Sequence, residues 1–189
     1  MKKIVLFASG SGTNAENLIL YFNKSNSARV VAVFCNNPNA KVLERAKCNN
    51  VPTVLFSNEE WKTETVLKQL NVFHPDLIVL AGFLLQFPTC IIQTYPERII
   101  NIHPALLPKY GGKGMYGMRV HQSIFDNKEV ESGISIHYVN ENYDEGQIIF
   151  QKKVMLGDCK SPEDIVRKIH ELEKEFFPAV IEKVLNADV

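Results

Sequence analysis

Short apolar runs alternate with helical stripes along the first hundred residues. Ile4–Ala8, Val30–Phe34, Thr53–Phe56, Leu77–Ala81 and Ile99–Ile102 are brief runs rich in Val, Ile, Leu and Phe, as expected of strands buried on both faces. Between them, Asn14–Asn23, Ala40–Asn49 and Glu59–Val72 read as helices, the last with Val66, Leu67 and Leu70 on one apolar face. Strand and helix in alternation predict a Rossmann-like α/β fold, a mostly parallel sheet flanked by helices. The pattern changes after residue 130. Gly133–Val139 and Gln147–Leu156 alternate more and have no helix between them, which predicts a C-terminal antiparallel strand pair. Ser161-Pro162-Glu163-Asp164 then opens a final long helix: a capping Ser, Pro in the first turn, and acids favoured by the helix dipole. Ile165, Ile169, Leu172 and Phe176 form its expected buried stripe, and Pro178 predicts a kink. No repeat, linker or low-complexity stretch interrupts the pattern. At 189 residues the expectation is one domain spanning 1–189.

The fifth run carries polar residues where the period predicts burial. In Arg98-Ile99-Ile100-Asn101-Ile102-His103, Asn101 and His103 project to one face of a strand while Ile100 and Ile102 project to the other. Burying two such groups without partners is costly. Taken alone, the pair fits either a site or two core groups satisfied by backbone.

A second signal follows the first strand. Ala8-Ser9-Gly10-Ser11-Gly12-Thr13-Asn14-Ala15 leads directly into the first helix, where glycines permit a tight turn and free N–H groups attract an anion. The spacing formally matches a dinucleotide fingerprint, but the second strand ends Phe34-Cys35-Asn36-Asn37, without the acid that would hold a ribose. No G-K-[ST] is present for ATP. A single phosphomonoester fits better, and a ligand-free strand–helix turn is the alternative.

Composition narrows the partners. Lys plus Arg and Asp plus Glu both number 21, so no global field draws in nucleic acid or an anionic membrane. The apolar run after Lys2-Lys3 is too short for a signal-peptide core or a membrane span, so a cytoplasmic protein is expected. Cys35, Cys48, Cys90 and Cys159 are scattered, which predicts reduced, mostly buried thiols and no metal site.

The glycine turn, Leu80-Ala81-Gly82-Phe83, Asn101-Ile102-His103-Pro104-Ala105-Leu106-Leu107-Pro108 and Asp144-Glu145-Gly146 occur in that order. With these segments the chain closely resembles, over essentially its whole length, the phosphoribosylglycinamide formyltransferase family, folate-dependent enzymes of purine synthesis. The N-I-H-P-x-L-L-P segment is specific to the wider formyltransferase superfamily. The S-G-x-G-[ST]-N turn separates the purine enzymes from their tRNA and sugar relatives.

The resemblance implies transfer of a formyl group from 10-formyltetrahydrofolate to the amine of glycinamide ribonucleotide. Its partners would be these two small molecules, with no nucleic acid, membrane or metal. Amine attack on a formyl carbon creates an oxyanion, which needs preorganised donors. The implied donors are Asn101 and a protonated His103, with Asp144 raising the His103 pKa and assisting proton transfer. Gly12, Thr13 and Asn14 match the substrate-phosphate turn. Leu84, Leu85, Gln86 and Phe87, together with Asn101 and the loop Asn140, Glu141, Asn142, Tyr143 and Asp144, match the folate pocket. Glu173 falls where the family has a carboxylate near the substrate amine; a solvated helix charge is the competing explanation.

Two departures stand out. Leu84-Leu85 occupy a place where many members carry Met-Arg, which removes an Arg that would contact folate. Tyr110–Gly117 is a longer glycine-rich segment than the common form, expected either to order on ligand binding or to be a plain connection. His121 matches a family histidine at the start of a helix and is not expected to be catalytic. His74, His137 and His170 are expected to be structural or surface groups. The competing functions are formyl transfer to a nucleotide-linked amino sugar, to methionyl-tRNA or to water, whose enzymes usually carry a further domain. A nucleotide-binding regulatory module is the alternative of a different class, and it would not need all of Asn101, His103 and Asp144.

Overall fold

The computed structural model describes residues 1–187. Five parallel strands, β1 (Lys2–Phe7), β2 (Ala28–Cys35), β3 (Thr53–Leu55), β4 (Leu77–Leu80) and β5 (Ile99–His103), are joined by β6 (Glu131–Tyr138) and β7 (Ile148–Met155), which add antiparallel. They make one sheet in the order β3-β2-β1-β4-β5-β6-β7. The helices are α1 (Thr13–Ser25), α2 (Lys41–Cys48), α3 (Asn58–Trp61), α4 (Thr65–Asn71), α5 (Thr89–Thr94), α6 (Met118–Asp126) and α7 (Pro162–Ala187). This is the architecture the alternation predicts, down to the antiparallel pair and the long last helix.

Alternation along β1 builds two cores. Ile4 and Leu6 pack with Leu18 and Phe22 of α1 and Ile169, Phe177 and Ile181 of α7. Val5 and Phe7 face the other way, onto Trp61, Val66, Leu70 and Ile91. All four β1 residues are fully buried, so a one-residue slip of this strand would exchange the two cores.

Three expectations need correction. The helix read over 59–72 is two helices, because the Thr63 hydroxyl bonds the Glu60 carbonyl (2.9 Å) and accepts from the Thr65 N–H (3.3 Å), diverting the backbone between α3 and α4. On α7, Leu172 and Phe176 are only half-buried; the buried stripe runs Ile165, Ile169, Glu173, Phe177, Ile181 and Leu185. Of the four free cysteines, Cys35 alone is buried, and Cys48 is exposed. Helix α7 continues through Pro178. Proline leaves the carbonyl four residues back without its usual donor, and that carbonyl, of Lys174, accepts from Asn17 Nδ2 at 3.0 Å. No helix among the described residues is long and apolar enough to cross a membrane.

Candidate active site

Strand order reverses direction at β1, whose neighbours are β2 on one side and β4 on the other. Such a switch point opens a crevice at the C-terminal ends of the strands. The glycine turn leaves β1 there, pinned by Ser9 N–H to the Gly82 carbonyl just beyond β4 (3.0 Å). Gly12, at φ +75°, is the left-handed residue that starts α1, and a Cβ added to it would lie 2.5 Å from that of Val42. Only glycine satisfies both demands. Helix α2 holds the turn from behind, through Val42 N–H to the Gly10 carbonyl (3.2 Å) and Arg45 Nε to the Ser11 carbonyl (2.9 Å).

The polar pair of β5 lies at the same edge. Asp144, in the loop after β6, adopts φ +57° and accepts from the Gly112 N–H at 2.9 Å. Its Oδ2 is 3.4 Å from His103 Nδ1, and its Oδ1 accepts from Asn101 Nδ2 at 3.4 Å. His103 Nε2 donates to the Tyr110 carbonyl at 2.7 Å, so both ring nitrogens face acceptors. Burial pushes the imidazole down while Asp144 and the Tyr110 carbonyl pull it up, and it settles below its ordinary value. Asp144 does raise the His103 pKa, as expected, but the ring is 3% exposed and lost hydration outweighs the nearby carboxylate, so the net shift is downward and does not favour the protonated resting ring that was expected. Burial also pushes Asp144 up, but the His137 and His103 rings and the Gly112 N–H pull it further down, leaving it ionised.

His137 was expected to be structural or on the surface, yet it stands directly opposite Asn101 in the β5–β6 register. Its Nδ1 donates to the Tyr138 carbonyl at 2.8 Å, and its Nε2 lies 3.2 Å from Asn101 Nδ2 and 3.5 Å from Asp144 Oδ1. His137 therefore backs both the Asn101 amide and the Asp144 carboxylate from the β6 side. Only strand register could reveal this.

A cavity of about 580 Å³ joins these groups. Its wall includes Gly12, Thr13, Asn14, Leu84, Leu85, Gln86, Phe87, Asn101, His103, Asn140, Asn142, Tyr143, Asp144 and Glu173. Glu141 is the one sequence-predicted site residue outside the wall; its carbonyl instead accepts from Gln86 Nε2 at 2.6 Å, fastening one side of the pocket to the other. Trp61 Nε1 donates to the Gln86 carbonyl at 3.0 Å; Phe7, Phe56, Phe83 and Phe87 pack around that indole, and Phe34 stacks on Phe7. Lys113, in the glycine-rich loop, is the one Lys or Arg among the described lining residues. His121 and His170, assigned no ligand role from the sequence, line the cavity as well.

Glu173 is no solvated helix charge. It is 7% exposed, accepts from Asn14 Nδ2 at 3.0 Å, and is pushed up to about 7 by burial against the pull of that hydrogen bond. The last helix thus places a carboxyl group, poised between its two protonation states, beside the glycine turn.

Residues 2–181 match the formyl transferase family. The chain is 34% identical to the phosphoribosylglycinamide formyltransferase of Bacillus subtilis over 98% of its own length and 96% of the relative's. It is 33% identical to that of Escherichia coli, over 94% and 84%. The crystal structure of glycinamide ribonucleotide transformylase 1 from Geobacillus kaustophilus superposes with a TM-score of 0.89 at 33% identity, covering 98% of this chain and 99% of that one. With the switch-point cavity, the glycine turn and the Asn101–His103–Asp144 cluster in place, the chain belongs to the formyl transferase family, among its phosphoribosylglycinamide formyltransferases.

Proposed function

We propose that this chain transfers a formyl group from 10-formyltetrahydrofolate to the amine of glycinamide ribonucleotide, in the cytoplasm, for purine synthesis. The observation that carries this reading is the meeting of Asn101, His103 and Asp144 on the wall of a cavity that also holds the glycine turn. A phosphomonoester on the N–H groups at Gly12–Asn14 is favoured by the start of α1. The arm formed by Leu84–Phe87, Asn140, Asn142 and Tyr143 combines apolar side chains with amide and peptide edges, which suits a flat heterocycle with a polar rim.

The chemistry follows from the resting geometry. As the amine nitrogen bonds to the formyl carbon, the carbonyl π pair moves onto oxygen. Asn101 Nδ2, held by two long contacts of 3.2 and 3.4 Å, has donor capacity to share with that oxyanion. The proton shed by the amine goes to the His103–Asp144 edge, where the ring is neutral at rest. The imidazolium so formed lies 3.4 Å from the carboxylate, which stabilises it. When the bond to the folate nitrogen breaks, the carbonyl re-forms and the leaving nitrogen takes the proton.

The test is absorbance on mixing the protein with 10-formyl-5,8-dideazafolate and, separately, glycinamide ribonucleotide, a nucleotide-linked amino sugar and methionyl-tRNA. Turnover with glycinamide ribonucleotide alone is expected. Turnover with the sugar nucleotide in its place overturns the acceptor assignment.

A further inference from the structure

His121 lies on the inner face of α6, with Val120 and Ile124 buried beside it, and is 4% exposed although it lines the active-site cavity. Its Nδ1 is sealed from solvent with no hydrogen-bond partner. A buried polar atom without a partner costs free energy, so a ring kept in that state calls for a reason. Nδ1 alone of its two nitrogens is sealed in this way, so Nε2 is the edge open to the cavity. Burial first, then the neighbouring His170 and His103 rings, push His121 down to about 4, so it is neutral near pH 7. Placing the ring proton on Nε2 avoids burying an unpaired N–H at Nδ1 and presents a donor to the cavity.

The surroundings define what that donor meets. Asn14 of the glycine turn bonds Glu173; His170 lies one turn back from Glu173 on α7; His121 is close enough to feel both His170 and His103. All of these residues line the wall of the cavity that also holds the phosphate turn and the reacting centre. An acceptor with its phosphate at one end and its amine at the other has its sugar along this wall. A neutral imidazole adds no charge for a phosphate dianion, but it suits an uncharged hydroxyl.

We propose that His121 is a substrate-binding residue whose Nε2 edge hydrogen-bonds a ribose hydroxyl of the acceptor. The proposal rests on the reading of the acceptor as a phosphoribosyl amine. Steady-state kinetics of wild type, His121→Phe and His121→Gln with the ribosyl acceptor and its deoxyribosyl analogues test it. His121→Phe keeps a buried ring and removes the nitrogens; it is expected to raise the acceptor KM about tenfold. The folate KM should be unchanged, and the preference for ribosyl over deoxyribosyl acceptor should vanish. His121→Gln should retain part of that preference. An unchanged acceptor KM, or an equal loss for both acceptors, overturns the proposal. Should the variants fail to fold, ¹⁵N spectra of the wild-type imidazoles decide: the His121 signals must move on adding acceptor, and no movement overturns it. Wild type that uses no phosphoribosyl acceptor would instead overturn the function reading itself.

Discussion

Arg45 Nε donates to the Ser11 carbonyl at 2.9 Å, and the same guanidinium pairs with Glu16 on α1. One side chain on α2 therefore ties the glycine turn to the helix that follows it. With the Ser11 carbonyl engaged from behind, the turn is fixed in the shape that presents N–H groups to the cavity. The pair is about one-third exposed, so its direct contribution to stability is about 1 kcal/mol or less. Arg45→Met is expected to raise the acceptor KM roughly tenfold, leaving the folate KM unchanged. Arg45→Lys, a point charge without the fork, should restore little of it. Steady-state kinetics with each substrate varied in turn check both.

Gly12→Ala should be damaging for two independent reasons, the positive φ and the collision with Val42. The expected loss is about 2–4 kcal/mol in denaturant unfolding, with acceptor binding lost as the turn shifts. Gly12→Ala with Val42→Ala relieves only the collision, so it should recover part of the stability and leave the backbone strain.

Because the His103 pKa lies below its ordinary 6.5, the neutral ring predominates at pH 7. The acid limb of kcat/KM is therefore expected below pH 6.5, with the rate falling as His103 becomes protonated. Asp144 pulls that pKa up, so Asp144→Asn should move the acid limb to still lower pH. It should also slow turnover by a factor on the order of a hundred or more, since the imidazolium formed in the reaction loses its partner. A limb that moves upward, or a rate unchanged, contradicts these roles.

Glu173 and His121 impose opposite pH dependences on stability. Glu173 has a folded pKa of about 7 against an ordinary 4.5, so the folded state binds the extra proton between those values. Stability is thereby lost as pH rises from 4.5 through 7. Glu173→Gln should be the more stable form at pH 8, by about 3 kcal/mol, and match wild type below pH 4.5. His121, at about 4 against 6.5, binds its proton more readily when unfolded. Its effect is the reverse: stability is lost as pH falls from 6.5 towards 4, and His121→Phe should remove that loss. Urea unfolding of both variants at pH 5 and pH 8 separates the two effects.

Local pattern was enough for much of this protein. Period-two and period-3.6 spacing located the strands and the long helices because burial on one face is a local requirement that leaves a local trace. Where side chains redirect a backbone, as Thr63 does between α3 and α4, the apolar stripe runs on across the break and hides it. Helix α5, six residues long with Ile91 alone buried, is too short to build a stripe of its own. The resemblance carried by Asn101-Ile102-His103-Pro104, the glycine turn and Asp144 pointed to the residues of the cavity wall, because each segment is itself a specific pattern.

What the sequence alone determined, then, is the strands and the longer helices, the family and the groups that bear the chemistry. Only the tertiary structure decided their states. Register placed His137 against Asn101. Packing of α6 and α7 drove His121 and Glu173 out of water; each falls in line with apolar neighbours on its helix, but only the packed helices show that the polar group stays buried there. The same desolvation made His103 neutral at rest despite the carboxylate 3.4 Å away. Hydration and charge–charge distance are sums over everything nearby in space, so they exist only once the chain has folded.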